Sequence, residues 1–524
     1  MLVEVTFLPE NTTVWVPAGS TLLAAARRAG ITLVASCGGR GTCGGCGVRV
    51  LEGTLADPDD IEFGVLPRLP KGVRLGCRAR VAQRCVVEPM VKYRAPSTGA
   101  AAAVSFGSAT SLYDLEDDDD VMPSPATSVS VSAPEAEPAP VADLMVAVDL
   151  GTTNVAVVVL EKGTNREVGR GAAVNRQRSW GADVLSRLSA AIASPDDATM
   201  LRDAGQRSVI DAIEVAAGES FDTVATRIVS VVISANSVMA PLLAGADASS
   251  LAAAPFAPVE GVSLTAGPLV ERTPRATFQV LEPLANFVGG DIRAGLLATN
   301  LLTGTASAGR LDPKTVLFID MGTNVEVALA TPERLTVASA PAGSAFEGIA
   351  TDGAFMHGSA LISALADARR SGALDATGLL QESDPRVSRD AQGVMQLDVT
   401  GSATDRVHLS QLAIREFQLA KAAVRAAVSG VLRAANTAPD HVERIVVAGA
   451  FGGAVTPTDL VDLGVLPAVS PLRVNYAYNA SLTGAVLVAL SQMSDVGVPL
   501  TAVDLVDQES FSAELVAFTA LERG

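Results

Sequence analysis

The sequence predicts two folds in series: an α+β domain of β-grasp type at the start, then a larger duplicated α/β unit from residue 143 to the end. Three observations carry this. All five cysteines (37, 43, 46, 77 and 85) fall in the first stretch. Beyond residue 142, apolar strand-like runs alternate with Ala-rich helical stretches. Within that part, AVDLGTTNVAVVVL at 147–160 returns as FIDMGTNVEVALA at 318–330, so a strand, an acidic Gly-Thr turn and a second strand occur twice.

Composition narrows the function classes. A chain of 524 residues exceeds one ordinary core. Hydrophobic residues make up 48% and aromatics 4%, which describes a globular protein packed with aliphatic side chains. No run approaches the ~18 apolar residues of a spanning helix, and MLVEVTFLPE lacks a basic segment followed by an apolar one. A cytoplasmic chain without membrane association is expected. With a net charge of -18 and no stripe of Lys or Arg, nucleic acid is not an expected partner.

The elements of the first domain follow in order. LVEVTFL at 2–8 and TVWVPAG after Asn11 alternate apolar and polar residues, predicting a hairpin. Ser20 is the expected N-cap of the helix TLLAAARRA, which Gly30 ends. GVRVLEG at 47–53, RLGCRARV at 74–81 and CVVEP at 85–89 are three further strands, and strands wrapping one helix suggest the β-grasp. Residues 1–94 form this domain. From Ala95 to Ala142 the chain has no Lys or Arg, carries eight acidic residues and is rich in Ala, Ser and Pro. A disordered tether is expected there, spanning roughly 35–40 Å as a coil and leaving the first domain mobile. Residues 143–524 then divide into lobes at about 143–314 and 315–524, with strands in LMVAVDL, VAVVVL, IVSVVIS, TVLFID, VEVALA and RIVVAGA.

Cys37, Cys43, Cys46 and Cys77 have the spacing C-x5-C-x2-C-x30-C, close to that of plant-type [2Fe-2S] ferredoxins. Three thiolates on one loop must converge on iron, and the glycines from Gly38 to Gly47 allow the turns this needs. A zinc knot is the alternative, although zinc sites usually pair two CxxC motifs and one is present here. Cys85 lies in an apolar run and reads as core packing. Cys77, at the head of its expected strand, is the better fourth ligand.

In the second unit, a Gly-Thr turn between strands offers backbone N–H groups and hydroxyls to phosphate, while the preceding Asp can hold Mg²⁺ through water. One such turn is a common strand junction; two on like strand pairs, followed by RIVVAGAFGG at 444–453, are more specific. This order resembles the actin, hexokinase and heat-shock ATPase superfamily, whose duplicated domains close on ATP-Mg. By that resemblance Asp149, Gly151, Thr152 and Thr153 form the first phosphate loop, and Asp320, Gly322, Thr323 and Asn324 the second. Gly449, Gly452 and Gly453 form the adenosine loop. Glu326 alternates onto the face of Asn324 and is the candidate water-positioning carboxylate, a solvated strand residue being the bland alternative.

The cysteine loop, acidic linker and duplicated ATPase together resemble the reductive activators of corrinoid-dependent enzymes. GADVLSR at 181–187, NFVGGDI at 286–292, PAGSAFEG at 341–348 and QLAKAAVRA at 418–426 also match that pattern. The resemblance implies a [2Fe-2S] cluster, ATP and Mg²⁺ as cofactors. It also implies ATP-dependent transfer of one electron to the Co(II) of a corrinoid protein in a methyltransferase or O-demethylase system. An external electron donor is expected, since no GxGxxG follows a strand to mark a dinucleotide site. Actin-like domains of this kind often pair, so a homodimer is a further expectation. The segment between the two folds is shorter than expected, and ANSVMAPLLAG at 235–245 lacks the histidines expected after its methionine. His357, His408 and His441, the three histidines, read as structural.

Rival readings are open at this point. The activators of 2-hydroxyacyl-CoA dehydratases share the ATPase fold but take cluster ligands from within it, and no cysteine lies beyond 85. A small-molecule kinase would use the same clamp and leave the ferredoxin domain without purpose. A redox-sensing protein with a regulatory nucleotide site is the non-enzymatic alternative.

Overall fold

The structure, a computed structural model, describes residues 1–33, 35, 37–41, 45–90, 142–302, 314–351, 354–390, 392–399, 407–449, 455–491, 499–505 and 509–521. The expected linker up to residue 141, Cys43, Gly452 and Gly453 lie outside them.

In the first domain β1 (Leu2–Phe7) and β2 (Thr12–Pro17) form the expected hairpin, in register from Leu2 opposite Pro17 to Phe7 opposite Thr12. Val3, Val5 and Phe7 point inward, as strand alternation requires. They meet Leu22, Leu23, Ala25 and Ala26 of the helix Leu22–Ala29. The N-cap is Thr21, whose hydroxyl accepts from Ala24 N at 3.1 Å, and not Ser20. Ser20 belongs to the preceding turn, its N–H on Pro17 O and its carbonyl taken by Val81 N–H. Gly30 ends the helix at φ 71°, as expected.

With β3 (Gly47–Glu52), β4 (Val73–Leu75) and β5 (Cys85–Pro89) the sheet order is β2-β1-β5-β3-β4, and β1 and β5 run parallel. This is the β-grasp. The strand expected at 74–81 stops at Leu75, because Arg78 N–H and Ala79 N–H both turn back onto Leu75 O. Cys77 therefore sits in a turn and not at the head of a strand.

The second unit carries two sheets of one plan. The first consists of β6 (Leu144–Leu150), β7 (Asn154–Glu161), β8 (Glu167–Val174), β9 (Ile228–Ala235) and β10 (Thr277–Val280), in the order β10-β9-β6-β7-β8. The second begins with β11 (Val316–Met321), β12 (Asn324–Ala330) and β13 (Leu335–Pro341). A hairpin of β14 (Gly348–Thr351) and β15 (Ala354–His357) follows, then a small sheet of β16 (Val387–Arg389), β17 (Met395–Asp398) and β18 (His408–Ser410). β19 (Arg444–Gly449), β20 (Val474–Tyr478) and β21 (Leu500–Ala502) complete the second sheet, ordered β20-β19-β11-β12-β13-β21. In each sheet an antiparallel hairpin, β6–β7 or β11–β12, carries a parallel neighbour on its first strand, β9 or β19. The internal echo of the sequence is this repeated pair.

Val- and Ile-rich strands buried on both faces need cover on both. The helix Pro195–Ala217 covers the first sheet and the helix Gln411–Ala434 the second. On the facing sides the two halves exchange helices. Ile292 and Leu296 of the helix Gly290–Ala298 pack on Phe318, Ala328 and Val446 of the second sheet. Leu482 and Ala485 of the helix Ala480–Ala489 pack on Met145, Ala147 and Val158 of the first. Gly484 permits this crossing: a Cβ there would stand 2.0 Å from Ala294 O.

The linker composition suggests a mobile first domain, whereas here the domain is seated on the turn Arg176–Trp180. The Arg27 guanidinium donates to Ser179 O at 2.7 Å and lies 4.6 Å from the centre of the Trp180 ring.

Candidate nucleotide cleft and cysteine loop

β6 and β11 each carry an Asp one place before their last residue, Asp149 and Asp320, and the turn that follows each strand faces the same cleft, of about 430 Å³. Asp149, Gly151, Thr152 and Thr153 line it from one side, and Asp320, Gly322, Thr323 and Asn324 from the other. Gly449, at the end of β19, also reaches it. Its φ of 106° and its approach to Met321 O, 2.4 Å from where a Cβ would sit, exclude a side chain there.

The two Gly-Thr turns are joined by one carboxylate. Glu347 accepts from Thr153 Oγ1 at 2.6 Å and from Thr323 Oγ1 at 2.5 Å. Asn236 Nδ2 donates to Thr152 Oγ1 at 3.3 Å, and Ser481 Oγ donates to Asp149 at 2.8 Å. Sequence reasoning assigned no role to Glu347, Asn236, Ser481 or Asp291. Glu347 and Asp291 do fall in PAGSAFEG and NFVGGDI, two segments singled out above, but the fold is what brings them to the cleft.

Glu326 lies directly opposite Asp320 in the β11–β12 register, 6% exposed, and accepts from Ser339 Oγ at 3.4 Å. Together with Asp149, Asp291, Asp320 and Glu347 it gives the lining, among the described residues, five carboxyl groups and neither Lys nor Arg. Burial pushes Asp149 up to about 6. Burial and the charge of Asp149 push Asp320 up to about 7. Burial, then Asp320 and Asp149, push Asp291 up to about 8. Burial, then Asp291 and Asp320, hold Glu326 well above the usual carboxylate range. A polyphosphate entering such a lining finds hydroxyl and N–H donors on the two turns, but its charge is opposed wherever these carboxyls ionise unless cations come with it. Hard carboxylate oxygens of this kind suit a hydrated Mg²⁺.

These shifts give a pH dependence. Asp149 and Asp320 keep their protons to higher pH in the folded chain than in the unfolded one, so the native state binds more protons between about pH 4 and pH 7. Stability of the metal-free protein should therefore fall as pH rises through that window. Calorimetry should show Asp320→Asn flattening the slope and raising Tm at pH 8, by about 2–4 °C for each kcal/mol of relieved repulsion.

In the first domain Cys37, Cys46 and Cys77 are all buried. Cys77 N–H points at Cys46 Sγ at 3.5 Å. A hydrogen bond from Cys77 holds the Cys46 thiol below its ordinary value, while Cys37 stands near enough to oppose this electrostatically. Soft sulfur donors of lowered pKa fit iron or zinc. Among the described residues no three side chains yet stand together as a finished metal site. Cys85 is 1% exposed within the core, where burial alone pushes its thiol up to about 11. It packs as the small hydrophobe the sequence suggests.

His357 lines the cleft as the N-cap residue of the helix Gly358–Ser371. Among the described residues no helix is long and apolar enough to cross a membrane.

Comparison with known proteins agrees with this architecture. The model of the RACo middle region matches residues 144–303, and that of the C-terminal domain of RACo, the ASKHA domain, matches 314–354 and 353–523. The 2Fe-2S iron-sulfur cluster binding domain model matches 5–82. The corrinoid activation enzyme RamQ of Eubacterium limosum is 26% identical over 395 residues, covering 66% of this chain and 64% of its own length, slightly under two thirds. A solved reductive activator for a corrinoid, iron-sulfur protein shares the fold, with a TM-score of 0.64 over 99% of this chain and 98% of that one at 21% identity. With ferredoxin, middle and ASKHA regions matched in that order along one chain, this protein belongs to the RACo family.

Proposed function

We propose that the chain is an ATP-dependent iron–sulfur reductase. It returns the inactive Co(II) form of a corrinoid protein in a methyltransferase or O-demethylase system to Co(I), one electron at a time. The observation that carries this reading is the union of two features in one chain. One is a cleft whose two Gly-Thr turns meet on Glu347; the other is a domain that gathers buried cysteines.

In this reading residues 1–94 are the electron-carrying unit, 95–142 the tether and 143–524 the nucleotide-binding unit. Cys37, Cys43, Cys46 and Cys77 would hold a [2Fe-2S] cluster, which when bound supplies a one-electron carrier. Gly151, Thr152, Thr153, Gly322, Thr323 and Asn324 would cradle the phosphates, and Gly449, Gly452 and Gly453 the nucleoside. Asp149 and Asp320 would hold Mg²⁺ through water, which answers the charge of a cleft whose described lining has no Lys or Arg. Two carboxylates compete to orient the attacking water, Glu326 and Glu347. The partners are a corrinoid protein, an external electron donor and, by pairing of the ATPase units, a second copy, all in the cytoplasm.

ATP cannot drive the electron unless its bound and hydrolysed states differ in affinity for the Co(II) protein or in the cobalt environment they impose. The test is visible spectroscopy of a Co(II) corrinoid protein mixed with the reduced, cluster-loaded chain, with and without ATP-Mg. Co(I) or a methylated Co(III) product should accumulate only with ATP, and Asp320→Ala should abolish it. ATP bound or hydrolysed with no cobalt change for any partner would favour the regulatory or kinase reading instead.

A further inference from the structure

Three successive backbone carbonyls of the first phosphate loop, those of Gly151, Thr152 and Thr153, are held by one neighbouring segment. Asn175 Nδ2 donates to Gly151 O at 2.9 Å, Asn175 N–H donates to Thr153 O at 2.9 Å, and the Arg187 guanidinium donates to Thr152 O at 2.7 Å. Arg187 is fully buried, and its Nε donates to Gly181 O at 3.1 Å, so one guanidinium ties the loop to the end of the turn Arg176–Trp180. Gly181 is crowded against Ser186, 2.3 Å from where a Cβ would sit, which fixes the turn to the helix Val184–Ala193.

The other face of this turn carries the first domain. Arg27 Nε and a terminal nitrogen donate to Ser179 O at 3.1 and 2.7 Å, and the same guanidinium stacks on Trp180. Trp180 Nε1 in turn donates to Asp197 at 2.6 Å, and Arg27 stands 3.5 Å from that carboxylate. Arg176 bonds Asp211 through two nitrogens and reaches Gly30 O at 3.1 Å. The cysteine loop itself lies on this platform: a Cβ on Gly38 would stand 3.4 Å from Ser186 Oγ. Nucleotide loop and cysteine loop are thus separated by a single short segment.

We infer that residues 175–187 couple the two sites, with Arg187 as the positioning residue that makes the seating of the ferredoxin domain depend on what occupies the first phosphate loop. This rests on the nucleotide-binding reading above and adds to it the route by which nucleotide state reaches the redox domain. The geometry explains why the route is short and stiff. A shift of the Thr152 carbonyl must either break a buried charged hydrogen bond or move Arg187 and with it Gly181. Gly181 follows directly on the Ser179 carbonyl and Trp180 ring that Arg27 holds. Because coupling is reciprocal, loosening the domain must change nucleotide affinity by the same factor that nucleotide changes docking.

The chain has two tryptophans, Trp15 and Trp180, so Trp15→Phe leaves Trp180 as the one indole reporting on the seam. In that full-length, cluster-loaded protein, a non-hydrolysable ATP analogue with Mg²⁺ should change Trp180 emission. Arg187→Met should remove that response while the analogue, followed by equilibrium dialysis, still binds. Should Arg187→Met not fold, the seam variant Arg27→Ala carries the reciprocal test: analogue affinity should shift by about 5-fold or more with the cluster spectrum unchanged. Analogue binding without any Trp180 response, or an Arg27→Ala affinity equal to the parent's, overturns the coupling and spares the nucleotide site. No binding of the analogue by the parent protein overturns the functional reading, and the coupling with it.

Discussion

Glu347→Ala is expected to lower ATP turnover by about 10²–10⁴-fold, the usual worth of a positioned acid–base group, with a much smaller change in nucleotide affinity. Glu347 is the carboxylate that both phosphate-loop hydroxyls find, at 2.6 and 2.5 Å. A terminal phosphate entering between Thr153 and Thr323 would take those hydroxyls, leaving the carboxylate beside it and free to orient water. Its backbone is firmly placed. The preceding Phe346 is 1% exposed, with its ring edge against Phe417 at 6.0 Å, and Gly358 packs so closely on Phe346 O that no side chain fits between. Glu326, the carboxylate favoured by strand alternation, lies 6% exposed opposite Asp320, where burial and its acidic neighbours raise its carboxyl above the ordinary range. Its hydrogen bond comes from Ser339 on the next strand, whereas the Thr153 and Thr323 hydroxyls donate to Glu347, so Glu326→Gln should keep most of the turnover. Phosphate release measured on both variants decides between them; a dead Glu326→Gln beside an active Glu347→Ala would reverse the assignment.

How much of this site the sequence disclosed depended on how local each contact is. The two Gly-Thr turns were legible because strand, acidic residue, glycine and threonine are contiguous and occur twice, and the fold sets both on one cleft. The strands around them were legible because runs such as LMVAVDL, buried on both faces, leave few alternatives. Glu347 was not legible, since its partners lie 24 and 194 residues away and nothing local marks it as a clasp. Asn175 and Arg187 were hidden for the same reason: each bonds a backbone carbonyl, which leaves no trace in the partner's residue type. The misplaced N-cap and the overlong strand at 74–81 have a different cause. In both cases backbone hydrogen bonds within a turn, at Ser20 and at Leu75, outweighed side-chain preference.

Cys77→Ser is expected to abolish cobalt reduction while ATP turnover continues, because in the proposed reading it removes one of the four cluster thiolates and changes no residue that lines the cleft. The turn bearing Cys77 is fixed from behind. Glu62, 1% exposed, takes two hydrogen bonds from Arg74 at 2.8 Å and one from Leu75 N–H at 2.9 Å, so the position of residue 77 does not depend on a bound metal. Serine therefore keeps the turn and changes only the donor, from a soft thiolate to a hard hydroxyl of far higher pKa. Iron and inorganic sulfide should fall together with the visible absorption, and the circular dichroism of the folded chain should persist. Cys85→Ala is the matched control. Its thiol packs in the core and is kept protonated by burial, so this variant should retain the full chromophore and lose about 1 kcal/mol of stability. A parent protein isolated with zinc and no visible absorption would point instead to the zinc knot, and so would a Cys77→Ser variant that loses zinc rather than iron. The electron-transfer reading would then fall while the nucleotide cleft stood.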